Sequence, residues 1–297
     1  MVRVRVPASS ANMGPGFDCL GVALNMYNEA EFIPIDSGLE IEIMDEAYFI
    51  PRGENNFVYK GFKRVFDELG QKVCPVHIKL WSNIPVTRGL GSSSSSIVLG
   101  LMGANALTGE KLSKSELLSL ACEIEGHPDN VAAALMGGFT VACSDGGEVV
   151  CSKTDVSDNL HFAAMVPDFY LQTKKSRMVL PNMIPFKNAA YNIAHSSLIV
   201  SAFTSGNYSL LTMGVKDRLH QRYRFSKVRS GEFIARSMRR NGALCSYLSG
   251  AGPTIMGIVE GDYAQFYNKM NTLIQTNLNG WHLVMLSADN EGAKYIK

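Results

Sequence analysis

The sequence predicts an α+β fold. Three observations carry the prediction. Segments alternating apolar and polar residues with period two, as half-buried strands do, recur at 2–6, 29–35, 39–44 and 76–82. Segments with apolar residues every three or four positions, as amphipathic helices have, lie among them at 56–69 and 113–125. The chain then closes on strand, turn, strand, helix, strand, an order that suits a small α+β sandwich.

Taken in order, the first strand is expected to end at Pro7. The Gly-, Ser- and Asn-rich residues 8–21 are expected to be a loop, too rich in small residues for a core. Asp36-Ser37-Gly38 supplies the turn between the next two strands. Gly70 sits where a helix over 56–69 needs its C′ residue. Residues 94–107 are apolar nearly all round, which predicts a buried helix. Ser113 and Glu116 form a capping-box pattern at the head of 113–125. Leu117, Leu120, Ala121 and Ile124 share one face of that helix, with Glu123 beside the stripe. Pro128 after His127 opens a short helix that Gly137-Gly138 should close.

Glycine turns near 145–147 start the second half. A strand is expected at 161–167, and helices at 189–204 and 232–240. Strands at 244–248 and 254–259 flank a glycine turn, followed by a helix at 264–276 and a strand at 281–286. No internal repeat is visible. The change of pattern near 150–160 predicts two domains, 1–155 and 156–297.

Composition excludes several classes. The chain has 28 Lys+Arg against 27 Asp+Glu, a net charge of +1, so no basic field draws it to nucleic acid or an anionic membrane. A bound anion must be held locally. Apolar residues make up 46% and charged residues 19%, a globular rather than disordered balance. The six cysteines form no CxxC pair, which removes zinc-ribbon and thioredoxin-like readings and suits reduced, mostly buried thiols. The opening MVRVRVPASS has no apolar run of a signal peptide. The longest apolar-rich stretch, 97–107, is too short to span a bilayer. A soluble cytoplasmic protein is expected.

The strongest local motif is PVTRGLGSSSSS, Pro85 to Ser96. Glycines let backbone amides turn inward, and serines keep the approach open. The loop runs into a helix whose N-terminus adds free N–H groups, so the whole reads as an anion cradle. It is neither a Walker A loop nor a dinucleotide fingerprint. A flexible serine linker would not be flanked by a strand and an apolar helix. The second motif, Ser249-Gly250-Ala251-Gly252-Pro253-Thr254, fits a tight turn or a second backbone surface near phosphate. The third, Glu123 to Asn130, gathers carboxylates, an imidazole and an amide. Glu123 or Glu125 meets the demand of Mg²⁺ bound with a nucleotide, which takes one or two carboxylates; helix capping explains the same residues. In the fourth, Pro7 to Asp18, Asn12 and Asp18 suit a hydroxyl and an ammonium group, though a plain surface loop carries such residues too. Arg177 and Arg224 are candidates for a bidentate carboxylate contact. Lys174 and Lys175 read as solvated cations.

PASSANMGPGFDCLGVAL, PVTRGLGSSSSS, EGHPDNVAA and LSGAGPT, in this order, resemble the homoserine kinases of the GHMP kinase superfamily. The TKKSR…LP and HQ-YR segments agree with it. The resemblance spans essentially the whole chain. It implies a two-domain GHMP kinase fold: an N-terminal ATP-binding domain like ribosomal protein S5 domain 2, then a ferredoxin-like C-terminal domain. It implies ATP and Mg²⁺, phosphorylation of the L-homoserine side-chain hydroxyl on the way to threonine, and a homodimer.

Residue by residue, it places ATP on Pro85, Val86, Thr87, Arg88, Gly89, Leu90, Gly91, Ser92, Ser93, Ser94 and Ser95, with Gly250 and Gly252 nearby. It places the amino and hydroxyl end of the substrate on Asn12 and Asp18, and its carboxylate on Arg177 and Arg224. His127 and Asn130 fall near the reacting hydroxyl. Ser92 or Ser93 with Glu123 would contact Mg²⁺, Glu125 being the alternative to Glu123. Several GHMP kinases place an Asp base where this chain has Asn130. Phosphoryl transfer is mostly positioning and electrostatics, so an in-line transfer without a strong protein base is expected, with His127 as the alternative acceptor. A kinase of mevalonate, a sugar or shikimate would carry Asp at position 130 and lack GHPDN. A non-catalytic relative would lose Glu123, Ser92 and the two loops. A dinucleotide oxidoreductase would carry GxGxxG.

Overall fold

A computed structural model of the chain describes residues 1–45 and 49–297. Strand β1 (Val2–Ala11) runs through Pro7 instead of ending there. Its register with β2 (Leu20–Pro34) slips at that point: Pro7 faces Tyr27, and Ala8 faces Leu24. Proline has no N–H to give the ladder, so it sits at an irregularity beyond which pairing resumes. Residues 8–11 are therefore strand, and Ser9 and Ser10 are fully buried. The connecting loop shrinks to 12–19. Asn12, Met13 and Asp18 hold φ of +65°, +43° and +55° there, a left-handed backbone that non-glycine residues seldom adopt and that clusters at functional sites.

Strand β3 (Leu39–Ile43), helix α1 (Phe57–Glu68) and strand β4 (Val76–Ser82) follow the predicted periodicity. The Asn56 side chain caps α1 by accepting the Val58 N–H. Helix α2 (Ser92–Leu107) starts two residues earlier than its apolar run, inside the serine string, and its first fourteen residues include twelve buried ones. A Cβ on Gly100 would lie 1.9 Å from the Val58 carbonyl oxygen, so glycine lets α2 cross α1 backbone to backbone. Helix α3 (Lys114–Glu125) carries the expected Ser113–Glu116 capping box, and α4 (Pro128–Met136) ends at Gly137. Strands β5 (Phe139–Asp145) and β6 (Glu148–Thr154) form a hairpin about Gly146 and Gly147. Their outer ends are mostly exposed, which removes the alternation that marks a strand in sequence.

The second half contains β7 (Leu160–Pro167), α5 (Thr173–Arg177), α6 (Phe186–Ser205), α7 (Leu211–Gly214), α8 (Gln221–Arg224) and α9 (Gly231–Arg240). It ends with β8 (Cys245–Leu248), β9 (Ile255–Glu260), α10 (Ala264–Asn277), β10 (Trp281–Ser287) and β11 (Lys294–Ile296).

Two sheets result. The first has order β11-β1-β2-β4-β3, with β5 paired to β2 and β6 to β5; among the described residues only β3–β4 is parallel. The second has order β10-β7-β9-β8. The change of sheet falls between Thr154 and Leu160. One strand departs from that division: β11 returns to the first sheet, with Arg3 opposite Ile296 and Arg5 opposite Lys294. One core packs α1–α4 on the first sheet. A second joins the halves, with Ala8, Met13, Leu20 and Leu90 meeting Phe162, Phe203 and Met256. A third packs α9 and α10 on the second sheet. The shared middle core fixes both halves against one cleft.

Candidate active site

The cleft takes in about 1070 Å³, part of it open to solvent. It is walled by the glycine-serine loop, the α3–α4 junction, the 12–18 loop, the 250–251 turn and two arginines.

Val86, Thr87, Arg88, Gly89, Gly91, Ser92 and Ser93 of the loop face this cleft. Pro85, Leu90, Ser94 and Ser95 do not line it. Leu90 is buried in the middle core, and the Ser95 hydroxyl donates to the Val6 carbonyl at 3.3 Å. Gly91 caps α2 with φ +71°, and a Cβ there would lie 2.1 Å from Ser9 Oγ. Glycine is required at this point because Ser9 sits directly beneath the loop. The Ser9 N–H donates to the Leu90 carbonyl at 3.1 Å, and its hydroxyl accepts from Asn130 Nδ2 at 2.9 Å. Among the described residues no side chain caps the α2 N-terminus, so its first amides can meet an anion. Of the late turn, Gly250 lines the cleft and Gly252 lies behind it, its N–H bonded to the Ser249 carbonyl.

Glu123 does not reach the cleft. It lies on the outer surface, 54% exposed, where Arg64 Nη2 donates to it at 2.9 Å. Glu125 faces inward, and its Oε1 accepts from Ser93 Oγ at 2.7 Å and Ser94 Oγ at 2.9 Å. Two positions along a helix turn about 200°, so only one of these carboxylates can face the site. Glu125 is four residues after Ala121 and eight after Leu117, in register with the buried stripe; that spacing was available in the sequence. A carboxylate beside serine hydroxyls at a phosphate loop is a hard oxygen donor set that fits Mg²⁺.

His127 Nδ1–H donates to Asp129 Oδ1 at 2.6 Å. Burial opposes protonation of His127, but the bond and charge of Asp129 raise its pKa overall. The same oxygen accepts the Asn130 N–H at 2.9 Å. Asp129, buried and unassigned by the sequence reading, is thus the anchor of this junction. Asp18, His127 and Asp129 bring their ligating atoms within 4.8 Å of one another. A cation there competes with Arg177, whose two Nη atoms already donate to both Asp18 oxygens at 2.6 and 2.8 Å.

Asn12 lines the cleft but spends its amide within the protein. Its Nδ2 donates to the Gly250 carbonyl at 2.8 Å, and its Oδ1 accepts the Asp18 N–H at 3.0 Å. It positions Asp18 rather than offering a free amide. Arg224 is 1% exposed, donating to the Gly250 carbonyl at 3.0 Å and to His220 Nδ1 at 3.3 Å. His220 Nε2–H donates in turn to the Gly14 carbonyl at 2.6 Å, so the ring is neutral, and burial pushes its pKa down. The Arg177 and Arg224 guanidinium carbons lie 5.2 and 5.1 Å from the Phe17 ring centroid. Burial, then the Arg177 charge, pushes Arg224 down to about 10. Two cations thus share one aromatic ring, and Asp18 pairs with one of them.

Sequence reasoning missed Ser9, Phe17 and Asp129, and also the wall of Ile50, Pro51, Asn56 and Phe57 opposite the loop. The first three sit inside recognised motifs. The wall carries no local chemical signal.

A glycine-serine loop opening a buried helix, with Glu125 bonded to its serines in a cleft between two sheets, matches the GHMP kinase class. The GHMP kinases N terminal domain family matches residues 56–138. The homoserine kinase of Clostridium beijerinckii is 45% identical, across 100% of this chain and 99% of the relative. That of Clostridium botulinum is 44% identical, across 98% and 97%. The crystal structure of homoserine kinase from Cytophaga hutchinsonii superposes with a TM-score of 0.90 at 28% identity, covering 99% of this chain and 97% of that one. The chain belongs to the homoserine kinase family.

Proposed function

We propose that the chain transfers the γ-phosphoryl group of ATP to the side-chain hydroxyl of L-homoserine, giving O-phospho-L-homoserine. The observation that carries this is one cleft lined both by the glycine-serine loop and by Asp18, Arg177 and Arg224. That is the complement of a nucleotide beside an amino acid.

In this reading the amides of Gly89 to Ser93 and the α2 N-terminus hold the phosphates. Glu125, with Ser92 or Ser93, would hold Mg²⁺, which when bound neutralises charge on the phosphate oxygens. Asp18 receives the substrate ammonium group, and Arg177 and Arg224 its carboxylate. Asn130 orients the hydroxyl; an amide is not a base. His127, with Nδ1–H fixed on Asp129, keeps Nε2 as the protein's own proton acceptor.

We divide the chain into an ATP-binding unit, 1–155, and a second unit, 156–297, apart from β11. None of the helices among the described residues is long and apolar enough to cross a membrane. We place the enzyme in the cytoplasm, where ATP is held, and expect a homodimer, which sedimentation of the purified chain tests.

The deciding experiment is ADP release with Mg²⁺ against L-homoserine, mevalonate, galactose and shikimate. Release with homoserine alone is expected. Release with another alcohol and none with homoserine overturns the substrate, and with it the roles of Asp18, Arg177 and Arg224.

A further inference from the structure

The two residues assigned to the substrate's opposite charges are bonded to each other. Both Asp18 oxygens accept from Arg177, at 2.6 and 2.8 Å. The pair is held on both sides. The Asp18 N–H is fixed by Asn12 Oδ1, and α5, which Arg177 closes, is tied to the late turn by Ser176 Oγ donating to the Ala251 carbonyl at 2.8 Å.

We infer that the Asp18–Arg177 ion pair is a latch that a zwitterion opens, one whose ammonium replaces Arg177 on Asp18 while its carboxylate replaces Asp18 on Arg177. The inference rests on the proposed function, which places the amino-acid end of the substrate at this point of the cleft.

The surroundings make half an exchange costly. The latch joins a group of two carboxylates and His127 to a pair of arginines. Asp18 lies beside Asp129, with His127 the third member of the group. Arg177 shares the Phe17 ring with Arg224. A ligand bringing only a carboxylate takes Arg177 and leaves Asp18 facing Asp129. A ligand bringing only an ammonium takes Asp18 and leaves Arg177 facing Arg224. Each gains one contact and strands one charge against a like neighbour, a penalty that offsets the contact. A zwitterion strands neither. The pair itself is about one third exposed, with side-chain accessibilities of 35% and 30%, so a ligand reaches it from the cleft. The free enzyme thereby selects against singly charged alcohols that fit the same space.

The test measures by calorimetry the direct binding of L-homoserine and of two truncated ligands to the wild type and to each variant, so that no variant needs to turn over. γ-Hydroxybutyrate keeps the carboxylate and hydroxyl; γ-aminopropanol keeps the ammonium and hydroxyl. Removing the stranded partner should reward each. Asp18→Asn should bind γ-hydroxybutyrate about 10-fold more tightly than the wild type does, while binding L-homoserine more weakly. Arg177→Gln should show the mirror result with γ-aminopropanol. Asp129→Asn removes the same negative charge from the cluster but no partner of Arg177, and should improve γ-hydroxybutyrate by no more than about threefold. Retained ATP binding shows that each variant is folded, and the Arg177 arm stands if the Asp18 variant is not. Unchanged or weaker binding of the truncated ligands to their variants overturns the latch. So does an equal gain in Asp129→Asn, which would make the effect one of bulk charge. If homoserine supports no ADP release in the wild type, the proposed function falls as well; if it does and the truncated ligands fail, the latch alone falls.

Discussion

Ser93 donates its hydroxyl to Glu125 Oε1 at 2.7 Å, so the first turn of α2 and the last residue of α3 meet at one carboxylate. The loop proposed to hold phosphate and its acidic neighbour are therefore a single mechanical unit, and Glu123 stands outside it on Arg64.

Glu125→Gln should raise the Mg²⁺ concentration needed for half-maximal ADP release by about 10- to 150-fold, the worth of a charge-assisted contact of roughly 1.5–3 kcal/mol. Glu123→Gln should change it less than about twofold, because an exposed pair contributes little. Magnesium titrations of both variants check this, and the reverse ranking would restore Glu123 as the ligand.

Gly91→Ala should lower stability by at least ~1 kcal/mol, the cost of a left-handed backbone for a residue with a Cβ. The added carbon also meets Ser9 Oγ, so the Ser9–Asn130 bond must yield. ATP KM should rise more than homoserine KM. Denaturant unfolding and two-substrate kinetics measure both effects; a silent substitution would show that the loop is not held by Ser9.

Arg224→Lys keeps the charge and loses the fork. Arg224 serves both the Gly250 carbonyl and His220 through Nη1, which leaves Nη2 for a carboxylate; lysine has one nitrogen and no planar fork to divide between them. Homoserine KM should rise about 10- to 150-fold, with ATP KM unchanged. An unchanged homoserine KM would remove Arg224 from the carboxylate site.

Two histidines should give opposite pH signatures. Burial holds His220 below its ordinary 6.5, so the unfolded chain takes up that proton first as pH falls. Stability should then drop below about pH 6.5, by up to ~1.4 kcal/mol per pH unit until the folded group titrates. His127 is raised by Asp129 against the effect of burial; its contribution is complete below 6.5 and lost as pH rises through the folded value. Urea unfolding between pH 5 and 8 should show a flatter acid side in His220→Gln and a flatter neutral side in His127→Gln. Parallel curves for wild type and both variants would contradict the assignment.

Much of this site was legible because its chemistry is local. The glycine-serine loop announces an anion site by composition, and the Ser113–Glu116 cap fixes where α3 starts. From that start the helical phase alone separates Glu125 from Glu123. Residues 8–11 misled because small, polar side chains read as loop, whereas here they are buried strand supporting a glycine. Ser9 and Asn130 are 121 positions apart, and Asp18 and Arg177 are 159 apart. Such pairings are set by how two sheets dock, which no window of sequence contains. The β5–β6 hairpin was missed because exposed strands lose their alternation.

Strand β11 completes the sheet beside β1, joining Arg3 to Ile296. During synthesis at roughly 5–20 residues per second, β1 waits on the order of 15–60 s for β11. Until then β1 presents an unpaired edge, open to other nascent chains. Assembly of the phosphate-binding half is thereby tied to completion of the half that follows it, and an interrupted translation product would lack a finished sheet.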